Sequence, residues 1–424
     1  MPPVAEPPAK PAVRAPLMPL DDAIRRLLAR AQPVLGVESV STFDADGRVL
    51  AQDVISGLTV PPADNSAMDG YAVRSADCAT AGVELPVSQR IPAGSVGRPL
   101  APGSAARIFT GAPIPPGADA VVMQEDTEAL QGGARVRIRV VPKAGQSIRR
   151  AGEDVMRGAV VLSKEELLTP ASTGLAAGIG LDRLSVARRP RVAMFSTGDE
   201  LVTPGTVAPE ALPPGAIYNS NRYFLRALLQ RLGCEVTDLG IVPDSLDATV
   251  DALRGAAAGH DLILTSGGVS VGEEDHVKPA VTRLGALDLW QIAIKPGKPF
   301  AYGHVGRADG GAAHFIGLPG NPVSSFVTFL LLVRPFVRAL QGATRLDAPA
   351  FALRADFAIT KADKRREFLR VRRNAQGGLD LFANQSSGVL TSMHWADGLV
   401  DHPAGTTIAQ GDMVRFIPLA ELLS

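Results

Sequence analysis

The stretch Arg191-Val192-Ala193-Met194-Phe195-Ser196-Thr197-Gly198-Asp199-Glu200 decides the fold of this chain. Its first six residues form a mainly apolar run of strand length, and a polar turn containing glycine ends it. Similar runs recur downstream and alternate with segments of helical periodicity. The strands are predicted at residues 235–242, 261–265 and 314–318, and the helices at residues 220–232 and 247–258. This alternation predicts an α/β domain with a doubly wound, mostly parallel sheet over residues 182–340.

The helices of this region carry their own end signals. Ser220 or Asn221 is predicted to cap the first helix, and Gly233 to stop it. The most apolar stretch, residues 326–333, ends at Arg334 and Pro335. Because that run falls short of the roughly 20 residues that a membrane span needs, it predicts a buried helix.

Four loops punctuated by glycine lie at the ends of apolar runs, at residues 196–200, 266–275, 295–300 and 318–324. In open α/β sheets, ligands bind at the carboxyl ends of the strands. Loops rich in glycine and hydroxyl groups let backbone N–H groups approach a phosphate closely. We therefore predict a nucleotide-like ligand with a metal ion. The candidate substrate-binding residues are Ser196, Thr197, Gly198, Ser266, Gly267, Gly268, Ser270, Pro319, Gly320, Asn321 and Ser324.

Three carboxylates beside these loops are candidate ligands of Mg²⁺, which prefers oxygen atoms and shares them with substrate phosphates. Asp275 follows the Gly267-Gly268 turn and is the first choice. Asp244 lies at a predicted strand end, and Glu200 ends the first loop, where it could bind through a water molecule. The alternative is that these residues only cap helices, as acidic residues commonly do after strands.

Two lysines, Lys295 and Lys298, flank the rigid Pro296-Gly297 turn. The turn would aim both ammonium groups at one phosphate or oxyanion. The alternative is a solvated basic turn. Ser324 likewise has two interpretations, as a ligand contact or as a helix cap.

Composition narrows the function classes. Lys+Arg and Asp+Glu both number 43, so the chain lacks the basic excess of a dedicated nucleic-acid binder. The two cysteines, Cys78 and Cys234, are too few for a disulfide framework or a zinc cluster. The N-terminal residues show no apolar core of a signal peptide. These features predict a cytoplasmic protein with neither nucleic-acid nor membrane partners.

Seven motifs in fixed order resemble the molybdopterin molybdenumtransferase family, which includes the C-terminal domain of gephyrin. They are PPADNSAMDGYAV (61–73), FTGAPIPPGADAVVMQED (109–126), AGED (151–154), STGDEL (196–201), TSGGVSVGEEDHV (265–277), KPGKPF (295–300) and GLPGNPVS (317–324). The resemblance covers residues 17–340 well and the last 80 or so weakly. It implies a homodimer of four-domain subunits.

The chain is accordingly divided as follows. Residues 1–16 are a disordered tail, 17–57 and 143–181 an elongated linker domain, and 58–142 a small mostly-β domain. Residues 182–340 are the α/β molybdopterin-binding domain, and 341–424 a C-terminal β-barrel domain. The central alternation and the short strands on either side of it fit this division.

The resemblance also implies an activity. Adenylylated molybdopterin would be bound and molybdate inserted at its dithiolene, with release of AMP and with Mg²⁺ held by Asp275, Asp244 and Glu200. Lys295 and Lys298 would stabilise negative charge. Contacts with molybdopterin adenylyltransferase and with molybdoenzyme maturation factors are further expectations.

The resemblance places further residues around the same cleft. Asp64 and Thr110 would approach it from this subunit or the other, and Asp154 would shape its wall. In the last domain, Arg366, Arg370 and Ser386 are candidate oxyanion contacts.

Two other functions fit part of the pattern. A non-catalytic molybdopterin-binding scaffold would share the fold, but the intact acidic and lysine loops favour the enzyme. A molybdopterin adenylyltransferase shares the α/β domain, but it would not need residues 17–180 or the last domain.

Overall fold

The computed structural model describes residues 16–34, 36–268 and 276–423. At its centre is a six-stranded sheet. The first four strands pair in parallel, and each of the last two pairs antiparallel with the strand before it. In sheet order the strands are Glu235–Ile241, Arg191–Ser196, Leu262–Ser266, Ala312–Leu318, Pro299–Gly306 and Gly285–Gln291. The predicted mostly parallel sheet is confirmed.

Helices cover both faces of this sheet. Ser220–Arg231 and the apolar helix after residue 321 pack on one face, and Leu246–Gly259 and Val277–Leu284 pack on the other. The strand Leu262–Ser266 is therefore buried at every position. Two-sided burial explains why such strands appear in the sequence as continuous apolar runs rather than as an alternation.

The helix Ser220–Arg231 begins at a different cap from the one predicted. Asn219 is the cap, and its side-chain oxygen accepts a hydrogen bond from the Arg222 N–H at 3.2 Å. Asn221 is unavailable for capping because its side chain reaches across the sheet to other loops. Gly233 follows the last turn with φ 79°, as the predicted stop requires.

The predicted buried helix extends over Pro322–Leu340. It consists of the α-helix Pro322–Thr328, a π-helical segment Phe329–Val333 and the α-helix Arg334–Leu340. Within the described ranges it is the one helix with the length and apolar composition that a membrane crossing needs. Since 83% of its most apolar window is buried inside the fold, it behaves as a core helix.

The two linker segments, which are far apart in sequence, pair through short strands. Val37–Ser41 pairs antiparallel with Arg183–Ala187, and Val54–Ile55 with Val160–Leu162. The strand Arg183–Ala187 therefore belongs with the linker, although the boundary at residue 182 placed it in the α/β domain. The helix Pro170–Gly178 completes this unit, with Pro170 in its first turn.

The first helix, Leu20–Leu28, lies apart from the rest of the linker. Its buried residues Leu20, Ala23 and Leu27 join the core of the α/β domain. Acidic residues in its first turn and arginines in its last complement the helix dipole.

The small domain is built on a six-stranded sheet. In sheet order the strands are Ala120–Met123, Gly70–Val73, Ala105–Ile108, Val83–Ile91, Arg135–Ile138 and Thr127–Leu130. Side chains of Arg135–Ile138 alternate between the two faces, and Val136 and Ile138 are fully buried. Arg137 lies on the other face and pairs with Glu84 and Glu128 on the flanking strands.

The C-terminal domain is a closed five-stranded barrel. Its strands are Phe351–Ala355, Arg366–Arg373, Gly378–Leu381, Gly398–His402 and Met413–Pro418. Arg366–Arg373 closes the barrel because it pairs with both Gly378–Leu381 and Gly398–His402. A short strand from the α/β domain, Ile294–Lys295, adds to this sheet in parallel with Arg366 and Glu367. Two short helices, Thr391–Trp395 and Leu419–Leu422, accompany the barrel.

Candidate functional site

A cleft of about 770 Å³ opens at the carboxyl ends of the parallel strands. It lies where the loops after Arg191–Ser196, Leu262–Ser266 and Ala312–Leu318 meet. Its walls include nine of the eleven predicted substrate-binding residues, namely Thr197, Gly198, Ser266, Gly267, Gly268, Pro319, Gly320, Asn321 and Ser324. Ser196 is buried beneath the cleft, and Ser270 lies outside the described residues.

Glycine brings two of these loops into contact. Gly267 has φ 98°, and a Cβ added there would lie 3.0 Å from the carbonyl oxygen of Thr197. An L-residue side chain would therefore be strained and crowded at this position. The close approach leaves backbone and hydroxyl groups, rather than bulky side chains, facing the cleft.

Asn221 connects the Gly267 loop to the third loop of the cleft. Its Nδ2 donates to the Ser266 Oγ and to the Gly320 carbonyl oxygen, both at 2.7 Å. One buried amide thus connects the loop after Leu262–Ser266 to the loop after Ala312–Leu318. The sequence indicated Asn221 only as a cap, and the pairing depends on contacts far apart along the chain.

Two buried polar atoms beside the cleft have no hydrogen-bond partner among the described residues. They are the Ser196 Oγ and the Asn219 Nδ2. A buried donor without a partner costs about 1–3 kcal/mol. A polar ligand in the cleft could offset that cost at Asn219, which lines it.

Two of the three predicted Mg²⁺ ligands, Glu200 and Asp244, line this cleft. Asp275 lies outside the described residues. Within the described ranges, no three His, Cys, Asp or Glu side chains are grouped as a protein-only metal site. Two carboxylates beside open space still fit Mg²⁺, since that ion usually keeps water and shares substrate phosphate oxygens.

The two lysines of the KPGKPF turn differ in their surroundings. The Lys295 ammonium lies 2.7 Å from a Glu367 carboxylate oxygen and 3.3 Å from one of Asp363. The hydrogen bond to Glu367 raises the pKa of Lys295. Lys298 forms no ion pair with any residue in the described part of the chain. Carboxylates of the barrel therefore hold the Lys295 ammonium, and neither lysine is part of the cleft lining. That both ammoniums meet one ligand stays a prediction.

The turn nevertheless packs beside the cleft. A Cβ added at Gly297, where φ is 111°, would lie 2.5 Å from the Thr328 Cγ2 and 3.4 Å from the Ser324 carbonyl oxygen. Ser324 and Pro299 both line the cleft. The lysine turn is thus fixed against the helix Pro322–Thr328.

Three predicted site residues lie in a second cluster, where the small domain meets the linker. Asp64 accepts hydrogen bonds from the Ala151 N–H and from Arg150, and these lower its pKa. Thr110 donates its N–H and its hydroxyl to Asp69, both at 2.8 Å. Asp154 is exposed on the adjoining loop. None of the three lines the cleft within one subunit.

The predicted oxyanion contacts of the barrel make polar contacts within the subunit. Arg366 pairs with Asp401 and Asp21 and lines a different cavity. Arg370 is 1% exposed and donates to carbonyl oxygens of Phe368 and Ser386. Burial lowers its pKa to about 10.

The barrel reaches the cleft through a neighbouring loop. Gly388 lines the cleft, and the Ser387 carbonyl oxygen accepts from the Val323 N–H at 2.9 Å. Ser386 itself is exposed and contributes its carbonyl to Arg370. Gly388 was not predicted, because its loop matches no motif.

Comparison with known proteins accounts for nearly the whole chain. The MoeA N-terminal region (domain I and II) matches residues 18–180, and a probable molybdopterin binding domain matches residues 193–339. The MoeA C-terminal region (domain IV) matches residues 352–419. A molybdopterin molybdenumtransferase of Haemophilus influenzae is 42% identical over 84% of this chain and 85% of the relative.

The chain belongs to the molybdopterin molybdenumtransferase family. A second family member, from a Nostoc species, is 38% identical over 89% of this chain and 82% of the relative. Among solved structures, the molybdopterin biosynthesis moeA protein of Pyrococcus horikoshii OT3 superposes with a TM-score of 0.81 at 28% identity. The superposition covers 95% of this chain and 100% of the Pyrococcus chain. The resemblance seen in the motifs is confirmed, and membership of a transferase family makes the chain an enzyme.

Proposed function

We propose that this chain inserts molybdenum into molybdopterin. The substrate would be adenylylated molybdopterin, and molybdate would be transferred to its dithiolene as AMP is released. The observation that carries the proposal is the cleft with Glu200 and Asp244, built from glycine- and hydroxyl-rich loops in a molybdopterin molybdenumtransferase family member. Such a cleft suits a ligand joined by phosphates.

The loops would bind the phosphate bridge. The Thr197 hydroxyl and the backbone around Gly268 offer hydrogen-bond donors without bulky side chains, whereas the Gly267 N–H already donates to the Leu318 carbonyl oxygen. Asn221 holds the two loops in register, so these donors are in place before the ligand arrives. Preorganised donors cost no rearrangement when charge develops on the departing phosphate.

Mg²⁺ would be held by Asp244 and Glu200 together with Asp275. Bound there, it would supply positive charge to the phosphate oxygens. Asp244 is half-buried and Glu200 is exposed, so the site has room for substrate oxygens and water. Lys298, whose ammonium is unpaired within the described ranges, is the lysine best placed to attract an anion.

The second cluster suggests how two subunits could complete the site. Asp64, Thr110 and Asp154 would come from the other subunit of a homodimer, since none of them lines the cleft of its own chain. The linker also presents apolar surface to solvent. Ile55 and Val160 face each other across two strands and are 58% and 53% exposed. Exposed apolar side chains of this kind favour an interface between subunits.

Asp244→Asn tests the proposed metal site. The change keeps the side chain's size but removes a charge, so Mg²⁺ binding should weaken and AMP release should fall by about 100-fold. The measurement is AMP release from adenylylated molybdopterin by purified protein, with molybdate present or omitted and across a Mg²⁺ titration.

The matched control is Asp309→Asn, on the exposed hairpin after Pro299–Gly306. It should release AMP at the wild-type rate. Normal release by Asp244→Asn would contradict the metal assignment. Molybdate-independent or absent release by wild-type protein that still binds the pterin would favour the scaffold function.

A further inference from the structure

Lys295 is held by a different domain from its own. The strand Ile294–Lys295 pairs in parallel with Arg366 and Glu367 of the barrel. The Lys295 ammonium lies 2.7 Å from the Glu367 Oε1. The Glu367 side chain is only 8% exposed, whereas that of Lys295 is 42% exposed. The carboxylate is therefore sealed in protein while the ammonium remains open to solvent.

The charges around this pair make Glu367 its main anchor. Asp363 also contacts Lys295, at 3.3 Å, but it is shared with Arg365. Glu367 has Lys295 as its sole ion-pair partner among the described residues. The other titratable groups nearby are His402, opposite Glu367 on the next strand, Arg370 on the same strand, and Lys298 on the lysine turn.

The anchor also fixes the turn relative to the cleft. After Lys295 the chain enters the Pro296-Gly297 turn, which packs on Ser324 and Thr328. Ser324 and Pro299 both line the cleft. The turn is therefore held at one end by the barrel and in its middle by the helix Pro322–Thr328.

We propose that Glu367 is a positioning residue, which fixes the Lys295 ammonium at the start of the turn that packs beside the cleft, in the orientation that an incoming oxyanion meets. This inference rests on the proposed molybdate transfer. A lysine on a free four-carbon chain samples many rotamers, and fixing it beforehand removes that entropic cost from anion binding.

Positioning of the lysine and neutralisation of its charge predict opposite effects of a Glu367 substitution. Loss of the Glu367 charge should weaken oxyanion use if Glu367 positions the lysine, and strengthen it if Glu367 only cancels positive charge.

Glu367→Gln separates these two roles. The amide keeps the size of the side chain and still accepts a hydrogen bond, although a weaker one. It removes the negative charge that orients Lys295. We expect the molybdate concentration for half-maximal AMP release to rise about fivefold or more, with a change in kcat of less than about twofold. Glu367→Asp, which keeps the charge, should recover part of this loss. Asp356→Asn breaks an ion pair with Arg354 elsewhere in the barrel and should leave molybdate use unchanged.

A second readout does not depend on activity. In protein labelled at lysine Cε, NMR titration should show a lower pKa for Lys295 in Glu367→Gln than in wild type, with the signal assigned through Lys295→Arg. Because a raised lysine pKa keeps the charged form to higher pH, the alkaline limb of the rate profile should move to lower pH in Glu367→Gln.

The activity assay and the titration test different parts of the proposal. An unchanged or lower half-saturating molybdate concentration in folded Glu367→Gln protein overturns the positioning role. An unchanged Lys295 pKa overturns the anchor itself. If the wild-type protein releases no AMP, the proposed function fails, and the titration alone then decides whether Glu367 holds Lys295.

Discussion

Asn221 shows how much of the cleft depends on a single side chain. Its Nδ2 hydrogen bonds to Ser266 and Gly320 connect two loops of the cleft, beside the bond from the Gly267 N–H to the Leu318 carbonyl oxygen. Asn221→Ala would leave the Gly320 carbonyl without this donor, so we expect a loss of about 2 kcal/mol in the free energy of unfolding. The loops should also separate, and AMP should bind about tenfold more weakly in the presence of Mg²⁺.

Denaturant unfolding and calorimetric titration with AMP measure these two effects. Asn374→Ala is a suitable control, because Asn374 makes comparable amide hydrogen bonds to Asp356 and Asp380 in the barrel. It should lower stability without changing AMP affinity. Equal AMP affinities of wild type and Asn221→Ala would show that the loops keep their arrangement without this residue.

The KPGKPF turn is the element through which three parts of the structure meet. Gly297→Ala would place a methyl group 2.5 Å from the Thr328 Cγ2 at a backbone φ of 111°. We expect a cost of about 1–3 kcal/mol and a displaced lysine turn, so half-maximal AMP release should need more molybdate. Gly310→Ala isolates the backbone strain, because Gly310 has φ 84° but open space around it. If both variants use molybdate equally well, the packing of the turn on the helix does not matter for activity.

Elements of the sheet were predictable from sequence, whereas the directions of key side chains were not. Two-sided burial makes residues 192–195 and 262–264 of two neighbouring strands apolar, and each strand is followed by a loop that belongs to the cleft. The proximity of Lys295 to Lys298 along the chain suggested a shared target. Lys295 instead pairs with Glu367 of another domain, a contact that no local pattern encodes.

The arginines of the barrel show the same limit. The sequence pattern predicted short strands for the last domain, and Arg366–Arg373 is one of them. It could not show that Arg370 would be buried and hydrogen-bonded inside the domain, because barrel closure sets which face is enclosed. Motif matching found the ligand-facing loops but could not assign Asp64 and Thr110 to one subunit or the other.

At the scale of the whole molecule, the separation of the two clusters predicts sites shared between subunits. If Asp64 of one chain completes the cleft that contains Asp244 of the other, then Asp64→Asn and Asp244→Asn should each inactivate the homodimer. A heterodimer of the two variants would contain one site with both changes and one site with neither. Co-expression with two different affinity tags and purification through both should therefore yield about half of the wild-type AMP release. If each cleft uses Asp64 of its own chain, every site in the heterodimer carries one change and the activity stays at the level of the single variants. A heterodimer of Asp64→Asn with Thr110→Ala provides the control. Both of its changes lie in the same cluster, so each site should lose one contact and AMP release should stay at the level of the single variants.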